Sequence, residues 1–347
     1  MPAAFVHDIP AQRVVFAPGA VARVADEAAR LGLARVLVVA TPGSGARLGQ
    51  RLVEILGSRA AGLHAQAVVH VPKGVAEAGL AAARDANADG LVAAGGGAAI
   101  GLAKIIARDL ALPIVAVPTT YSGSEATTIW GVSDGELKYT GRDAKVLPRV
   151  IVYDPDLTLA LPAAVSASSA MNAMAHCVEG LWVPDRTPYL EALATDAARR
   201  FGAYLPRVIA DGNDREARGE CLIAAWLAGV VLAAGTGLQH KLAHVLGGLG
   251  LPHAEAHAII LPHVTRFNLA AAPDARARLA QALGGSGDPA DRVAAMLAGL
   301  PIPQTLSAIG FARGKIEFVA AEIAKLAITV PRAVSGADAR TLLAAAF

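Results

Sequence analysis

Seven polar side chains recur at short intervals in the second half of the sequence: Asn172 and His176, His240 and His244, then His253, His257 and His263. The first two pairs are four residues apart, and residues at this spacing lie on one face of a helix. Three histidines can bind Zn²⁺ and leave its fourth position open for a substrate. They can equally hold an anionic substrate and donate protons near neutral pH. The spacing predicts a cluster of imidazoles and leaves both chemistries open.

A glycine-rich segment, Gly95-Gly96-Gly97, directly follows the apolar run at residues 90–94 and precedes a helical pattern at residues 102–108. Glycines in this position let backbone N–H groups approach a phosphate, and the positive end of the helix dipole favours the same anion. The spacing differs from the GxGxxG of the common dinucleotide-binding fold. A glycine turn without a ligand is the other interpretation.

Hydroxyl groups are concentrated in the segment Pro118-Thr119-Thr120-Tyr121-Ser122, which follows the apolar run at residues 114–117. In open α/β sheets, ligands bind at the carboxyl ends of the strands. Two loops of this kind on one edge of a sheet support each other. Together they predict a nucleotide-type ligand.

The elements that must position these loops alternate along the first 155 residues. We predict strands at residues 13–16, 35–40, 67–71, 90–94, 114–117 and 150–153, with helices between them, including one at residues 20–31 and one that ends near residue 56. A continuous apolar run such as RVLVVA at residues 35–40 is typical of a strand that is buried on both faces. The alternation predicts a parallel sheet with right-handed crossovers.

Strand signals stop after about residue 159. Helical patterns cover residues 166–181, 188–205, 217–234 and 239–246, and more follow from residue 275 to the end. We therefore predict an α/β domain at residues 1–158 and an all-α domain at residues 159–347.

The composition excludes several classes of protein. Hydrophobic residues make up 54% of the chain and charged residues 17%, which excludes a disordered protein. A net charge of +2, no basic run and 4% aromatic residues argue against a nucleic-acid partner. The two cysteines form no CxxC, which indicates a reducing compartment, and the N-terminus lacks a signal-peptide pattern. We therefore expect a cytoplasmic protein.

One segment could cross a membrane by its length. Residues 221–239 (CLIAAWLAGVVLAAGTGLQ) carry no charge over 19 residues. The segment is single, its flanks are mixed in charge, and glycines lie at its C-terminal end. We expect a buried helix and no membrane partner.

Seven motifs occur in order over residues 95–264: GGGxxxGLAK, PTTYxGSE, ELKYTGRD, VIVYDPDLTLALP, SAxNAxAHxVEG, HKLAHVLGG and PHAEAHAIILPHV. They resemble the iron-containing alcohol dehydrogenase superfamily and, within it, the maleylacetate reductases. The resemblance spans nearly the whole chain. It implies the dehydroquinate synthase-like fold, in which an N-terminal dinucleotide-binding α/β domain and a C-terminal helical domain enclose the active site in a cleft. It also implies a homodimer.

The resemblance implies that Gly95, Gly96, Gly97, Thr119 and Thr120 hold the pyrophosphate of NADH or NADPH. The sequence after the strand at residues 35–40 has no acidic residue to read the ribose hydroxyls, so it does not distinguish the two cofactors.

Further site residues are implied at single positions. Lys138 matches a cofactor-contacting lysine of the family, and His244 matches the histidine beside the nicotinamide. The metal ligands of the iron enzymes correspond here to Asn172, His176, His240 and His253.

Two departures from the iron enzymes affect the expected chemistry. Asn172 stands where those enzymes have an aspartate ligand, and Gly101 stands where they have an aspartate in the phosphate loop. A neutral amide oxygen binds a divalent ion much more weakly than a carboxylate does. Both features resemble the maleylacetate reductases, in which metal-independent turnover is known. We expect that no metal is required and that the metal site is vestigial.

The resemblance implies reduction of the carbon–carbon double bond of maleylacetate, a small dicarboxylate, to 3-oxoadipate in the degradation of chlorinated or hydroxylated aromatics. The expected catalytic side chains are His244, His240, His253 and His176, with Tyr121 as a further candidate. The alternative is a metal-dependent alcohol dehydrogenase, in which Fe²⁺ or Zn²⁺ would polarise the substrate oxygen. A non-catalytic nucleotide-binding module would need the glycine loop without the histidines.

Overall fold

The computed structural model describes residues 4–347, except Glu136, Ala327 and the side chain of Lys138. The chain forms two compact units. One is Asp8–Leu161, and the other combines residues 4–7 with Pro162–Phe347. The functional division at residue 158 stays a prediction.

The first unit is built on a six-stranded parallel sheet. Its strands and the strands of a separate hairpin are β1 (Arg13–Phe16), β2 (Val36–Ala40), β3 (Ala60–His64), β4 (Gly90–Gly95), β5 (Ile114–Pro118), β6 (Ile129–Asp134), β7 (Leu137–Arg142) and β8 (Val150–Tyr153). The helices of this unit are α1 (Val24–Arg30), α2 (Ser44–Leu56), α3 (Lys73–Asp85) and α4 (Gly97–Leu110). The strand order in the sheet is β1-β8-β5-β4-β2-β3.

Helices cover both faces of the sheet. In β2, Val36 and Val38 belong to a core formed with α1 and α2, whereas Leu37 and Val39 belong to a core formed with α3 and α4. Successive side chains of a strand point to opposite faces, so a strand covered on both sides must be apolar throughout. The central strands β2, β4 and β5 are buried along their whole length, as their apolar runs predict.

The predicted strand at residues 67–71 is wrong. The third strand is Ala60–His64, and it lies at the end of the sheet, where it pairs with β2 alone. An edge strand needs less apolar cover, and the small residues of AAGLH conceal its signal. In the segment that we predicted, Val69 is 65% exposed and His70 and Val71 have positive φ values of 67° and 46°. Such a backbone cannot continue a strand.

The strands β6 and β7 form an antiparallel hairpin that the sequence patterns did not predict. Among its hydrogen bonds to the rest of the unit, the Ser133 N–H donates to the Val71 carbonyl at 3.1 Å, and the Ser133 hydroxyl donates to the His70 carbonyl at 2.8 Å. The Arg108 guanidinium of α4 also lies 4.3 Å from the centre of the Trp130 ring.

The second unit contains only helices among the residues described. They are α5 (Ala163–Gly180), α6 (Pro188–Ala210), α7 (Arg215–Val231), α8 (Leu238–Gly248), α9 (His253–Leu269), α10 (Pro273–Leu283), α11 (Pro289–Ala298), α12 (Ile316–Lys325) and α13 (Gly336–Ala345). The helix α5 is central and packs against α6, α7 and α9. Its alanines and serines allow this close approach, and it is buried from Ser166 onward except at Asn172.

One helical segment of the described chain, Arg215–Ala234, is long and apolar enough to cross a membrane by length and composition. In its most apolar stretch, 72% is buried inside the protein. The side chains that a bilayer would cover are therefore already covered by α5 and α6. This burial is what a core helix of a globular unit requires, and it agrees with the interpretation from the sequence.

Candidate active site

The two cofactor-binding loops that we predicted lie side by side in the α/β unit. The strands β4 and β5 are neighbours, with Gly95 paired to Pro118, so both loops leave the carboxyl edge of the sheet together. The Thr119 N–H donates to the Gly95 carbonyl at 3.2 Å. A Cβ atom on Gly96 would lie 2.8 Å from the Thr120 Cγ2 atom, so only glycine fits between the loops at this position.

Helix α4 begins at Gly97, directly behind the glycine loop. The first N–H groups of a helix have no partner within the helix, and the dipole places positive potential there. A Cβ atom on Gly97 would meet nothing within 4 Å. The loops thus expose backbone donors beside open space, which is an arrangement that suits a phosphate.

A buried charged network lies beneath the second loop. The Lys104 ammonium donates to the carbonyls of Ser124, Thr127 and Ile129 and to the Thr127 hydroxyl at 2.6–2.9 Å. The Tyr153 hydroxyl donates to Glu125 Oε1 at 2.6 Å, while Glu125 Oε2 has no partner within the described chain. This network joins α4 to residues 124–129.

Burial shifts the titration of each group in this network. It lowers the pKa of Lys104 to about 7, and the nearby Glu125 carboxylate opposes that shift. Burial raises the pKa of Glu125, with the Tyr153 hydrogen bond as the main opposing effect. It also raises the pKa of Tyr153 well above its usual value, and the Glu125 charge adds to the rise. These groups lie in three of the motifs that carry the resemblance, but the sequence did not predict that they form a buried network.

Two further predicted site residues of this unit are Tyr121 and Lys138. Tyr121 is 0% exposed, and its role stays a prediction. Lys138 lies in β7, and its side chain is outside the described part of the chain.

The helical unit brings five imidazoles together from three helices, as the spacing predicted. His176 of α5 lies 5.0 Å from His240 of α8, measured between ring centres. His257 of α9 lies 4.7 Å from His240 and 4.6 Å from His253. His244 completes the group at 5.7 Å from His253. We call these five residues the histidine cluster.

The histidine cluster runs from the interior of the unit to its surface. His257 is 0% exposed, and His240 and His176 are 5% and 6% exposed. His253 is half-buried and His244 is exposed. A small molecule would therefore meet His244 first and the buried rings last.

Burial is the main influence on titration at the inner end. It lowers the pKa of His176 well below the usual value, and the neighbouring His240 lowers it further. Burial has the same effect on His257, reinforced by His253, His240, His176 and His244. These imidazoles are neutral at pH 7. They can act as hydrogen-bond donors without carrying charge.

A buried carboxylate orients one member of the cluster. Glu179, 1% exposed on α5, accepts a hydrogen bond from His240 Nδ1 at 2.5 Å through Oε2. Its Oε1 accepts from the backbone N–H of Gln239 at 2.8 Å. A carboxylate on Nδ1 holds the proton there and directs Nε2 of the same ring toward the interior of the cluster. His240 Nε2 has no partner in the described chain.

The arrangement of these elements is that of a known family. Residues 11–155 match the family model described as iron-containing alcohol dehydrogenase, and residues 166–347 match the model described as Fe-containing alcohol dehydrogenase family, C-terminal. The chain belongs to the iron-containing alcohol dehydrogenase family. As a member of this family it is an oxidoreductase.

Similar iron-containing alcohol dehydrogenases include several maleylacetate reductases. The enzyme of that name from Sphingobium indicum is 46% identical over 329 residues, 94% of this chain and 92% of the relative. Maleylacetate reductase 1 from Cupriavidus pinatubonensis is 42% identical over 99% of this chain and 97% of its own. The crystal structure of maleylacetate reductase from Agrobacterium tumefaciens is 39% identical, with a TM-score of 0.95 over 100% of this chain and 99% of that chain.

The family's name implies an iron ion, which needs several side-chain ligands close together. Among the described residues, no three His, Cys, Asp or Glu side chains are arranged to hold a metal ion. Asn172 carries a neutral amide one helical turn before His176, and its Oδ1 is buried without a partner in the described chain. A neutral amide oxygen binds a divalent ion more weakly than a carboxylate does. The side chains of this site therefore do not fit an iron ion well.

Three residues of this site were missed as functional candidates. His257 had been noted only as lying beyond His253, although its spacing of four residues places both on one face of α9. Glu179 follows His176 by three residues on α5, so helical spacing could have indicated it. Gln239 carried no signal, because its role depends on contacts with two other helices.

Proposed function

We propose that this oxidoreductase reduces the carbon–carbon double bond of maleylacetate with NADH or NADPH to give 3-oxoadipate. The observation that carries the proposal is the histidine cluster, in which five imidazoles from three helices converge. The resemblance adds that Asn172, one helical turn before His176, stands where the iron enzymes have an aspartate ligand. Relatives named maleylacetate reductase, at 40–47% identity over most of the chain, support the same substrate.

The chemistry requires one hydride, one proton and one stabilised oxyanion. The C4 ketone of the substrate is conjugated with the C2–C3 double bond, so hydride adds at C2. The electron pair of the double bond then moves to form a C3–C4 double bond and an enolate on the C4 oxygen. Protonation at C3 restores the ketone and completes the product. Hydrogen-bond donors aimed at the C4 oxygen stabilise the charge that develops there.

The histidine cluster can supply both the donors and the proton. We assign hydrogen bonding and proton transfer to His240, His244, His253 and His176. Because Glu179 holds the proton of the neutral His240 ring on Nδ1, Nε2 of that ring accepts a hydrogen bond and donates one only when the ring is protonated. Neutral imidazoles near a dicarboxylate donate without the repulsion that a carboxylate would add. Tyr121 stays a further candidate, as the sequence predicted.

A direct test combines the purified protein with maleylacetate and NADH or NADPH. We expect oxidation of the cofactor and formation of 3-oxoadipate in equal amounts. Rapid oxidation of simple alcohols with NAD⁺ and no reduction of maleylacetate would favour the alcohol dehydrogenase alternative.

The cofactor is assigned to the loops Gly95–Gly97 and Thr119–Thr120, with Lys138 as a further contact. Replacement of Gly97 by valine should raise the KM for the cofactor by about ten-fold, because a branched side chain would occupy space that the pyrophosphate needs. A Cβ there meets no protein atom within 4 Å, so the fold should be retained. Steady-state kinetics and thermal unfolding measure the two effects.

A matched control is available in α3. Gly74 is also near a helix N-terminus and would also meet nothing within 4 Å, but it lies outside both loops. Gly74→Val should leave the cofactor KM unchanged. An unchanged cofactor KM in a folded Gly97→Val variant would remove the glycine loop from the site.

We propose that turnover needs no metal, although the family is described as iron-containing. Activity should therefore survive long dialysis against a chelator. Metal analysis of the same sample shows whether the metal has been removed. Loss of activity on chelation and its recovery with Fe²⁺ or Zn²⁺ would contradict this part of the proposal and favour the alternative of a metal-dependent alcohol dehydrogenase.

A homodimer, a cytoplasmic location and a role in the degradation of aromatic compounds remain predictions that follow from the resemblance. Light scattering on the purified protein measures the first.

A further inference from the structure

The side chain of Gln239 contacts the most buried imidazole of the cluster at two atoms. Its Nε2 lies 2.9 Å from the backbone carbonyl oxygen of His257 and 3.2 Å from His257 Nδ1. A carbonyl oxygen only accepts hydrogen bonds, so the amide atom that faces it must be the nitrogen. The opposite orientation of the amide would place two oxygens against each other.

The same amide nitrogen then determines which ring nitrogen of His257 carries the proton. An amide NH₂ group has two hydrogens and no acceptor site. With one hydrogen on the carbonyl, the second points to Nδ1, which must therefore be the acceptor. In a neutral imidazole the proton is then on Nε2.

His257 Nε2 has no hydrogen-bond partner in the described chain. The residue is 0% exposed. The ring is surrounded by His240 and His253 at 4.7 and 4.6 Å. A buried N–H without a partner is costly unless a ligand accepts from it.

Glu179 fixes the position of Gln239. On the neighbouring ring of His240 it favours a proton on Nδ1, whereas Gln239 favours a proton on Nε2 of His257. Glu179 Oε1 accepts from the Gln239 backbone N–H, while its Oε2 accepts from His240 Nδ1. Gln239 and Glu179 therefore place the protons of two adjacent imidazoles on different ring nitrogens. His257 presents an N–H at Nε2, and His240 carries its orienting proton at Nδ1.

We infer that Gln239 is a positioning residue that holds His257 as the Nε2–H tautomer, and that this N–H donates to a carboxylate or enolate oxygen of the substrate. The second half of the inference rests on the proposed reduction of a dicarboxylate. The first half concerns the protein alone and can be measured without substrate.

The isosteric variant Gln239→Glu tests the tautomer. An ionised carboxylate is repelled by the His257 carbonyl oxygen and can only accept from the ring, so the proton of His257 should move from Nε2 to Nδ1. NMR of protein with ¹⁵N-labelled histidine distinguishes the two tautomers, and His257→Phe assigns the signals by their loss. Nδ1–H in the parent, or the same tautomer in parent and variant, would overturn the positioning role.

Kinetics then test the contact with the substrate. Gln239→Glu should lower kcat/KM for maleylacetate by about 10–100-fold, as is typical when a partner that orients a functional imidazole is changed. Gln304→Glu is the matched control, because the Gln304 amide also donates to carbonyls in this unit, those of Leu300 and Ile302, without touching an imidazole. Its kinetics should equal those of the parent.

The outcomes separate the two proposals. A switched tautomer with unchanged kcat/KM would overturn the contact of His257 with the substrate. A switched tautomer in a protein whose parent form never reduces maleylacetate would overturn the proposed function and leave the role of Gln239 intact.

Discussion

Replacement of Lys104 by methionine is expected to lower the free energy of unfolding by about 3–5 kcal/mol, because each buried oxygen that loses its hydrogen-bond donor costs about 1–3 kcal/mol. Lys104 is 2% exposed, and its ammonium lies 2.6–2.9 Å from four oxygens. Methionine has a similar length but donates nothing, so three carbonyls lose their donor. Urea unfolding measures the loss, which is large against a typical total of about 5–15 kcal/mol.

An exposed lysine of the same unit provides the control. Lys73 forms an ion pair with Asp134 at 3.3 Å, and the two side chains are 59% and 52% exposed. Exposed pairs contribute about 0–1 kcal/mol, so Lys73→Met should change stability by about 0.5 kcal/mol or less. Equal losses in the two variants would show that the Lys104 network does not stabilise the loop above it.

The pH dependence of the Lys104→Met effect has a definite sign. Burial lowers the pKa of Lys104 to about 7, whereas a lysine in the unfolded chain titrates near about 10.4. Between these values the unfolded state binds more protons, so the stability of the parent rises with pH. The variant lacks this contribution, and the difference between the two proteins should widen from pH 7 to pH 9. A constant difference would show that the buried ammonium keeps its proton.

The parts of the fold that could be predicted are those for which burial leaves a local pattern. The strands β2, β4, β5 and β8 are continuous apolar runs because helices cover both of their faces. The strand β3 has one neighbour in the sheet and carries a glycine, so its residues resemble those of a loop. In contrast, the apolar run at residues 67–71 reaches an exposed turn, where Val68 and Val69 pack against little.

The same distinction applies to the site: features set by local helix geometry could be predicted from the sequence, and features set by contacts between distant residues could not. Spacing of four residues predicts that Asn172 and His176 share one helix face and that His240 and His244 share another, because helix geometry is local. The resemblance to the iron enzymes adds His253 and brings these histidines into one site. The tautomers of His257 and His240 depend on Gln239 and on Glu179 from another helix. Lys104 resembles an ordinary helix lysine in sequence, and only the loop folded over it makes it a buried cation.

Replacement of Asn172 by aspartate should raise the KM for maleylacetate by about five-fold or more. The new carboxylate would lie one helical turn from His176, at a position where the Asn172 Oδ1 atom is buried without a partner. At about 4–6 Å and an effective dielectric constant near 20, repulsion of a substrate carboxylate amounts to roughly 3–4 kcal/mol before screening. A third of that value, about 1 kcal/mol, is about a five-fold loss of affinity.

Asn172→Asp should also retain more metal than the parent, and metal retention can be measured without turnover. A carboxylate beside His176 favours the imidazolium and raises the pKa of that ring when no ion is bound. With Fe²⁺ or Zn²⁺ present, it instead adds an anionic ligand to neutral ones and should increase metal retention over the parent. Asn213→Asp adds the same charge to an exposed turn of the helical unit and should change neither quantity. If Asn172→Asp and the parent retain equal amounts of metal, residue 172 does not face the histidine cluster. The hypothesis that this residue is neutral because the substrate is a dianion would then be wrong.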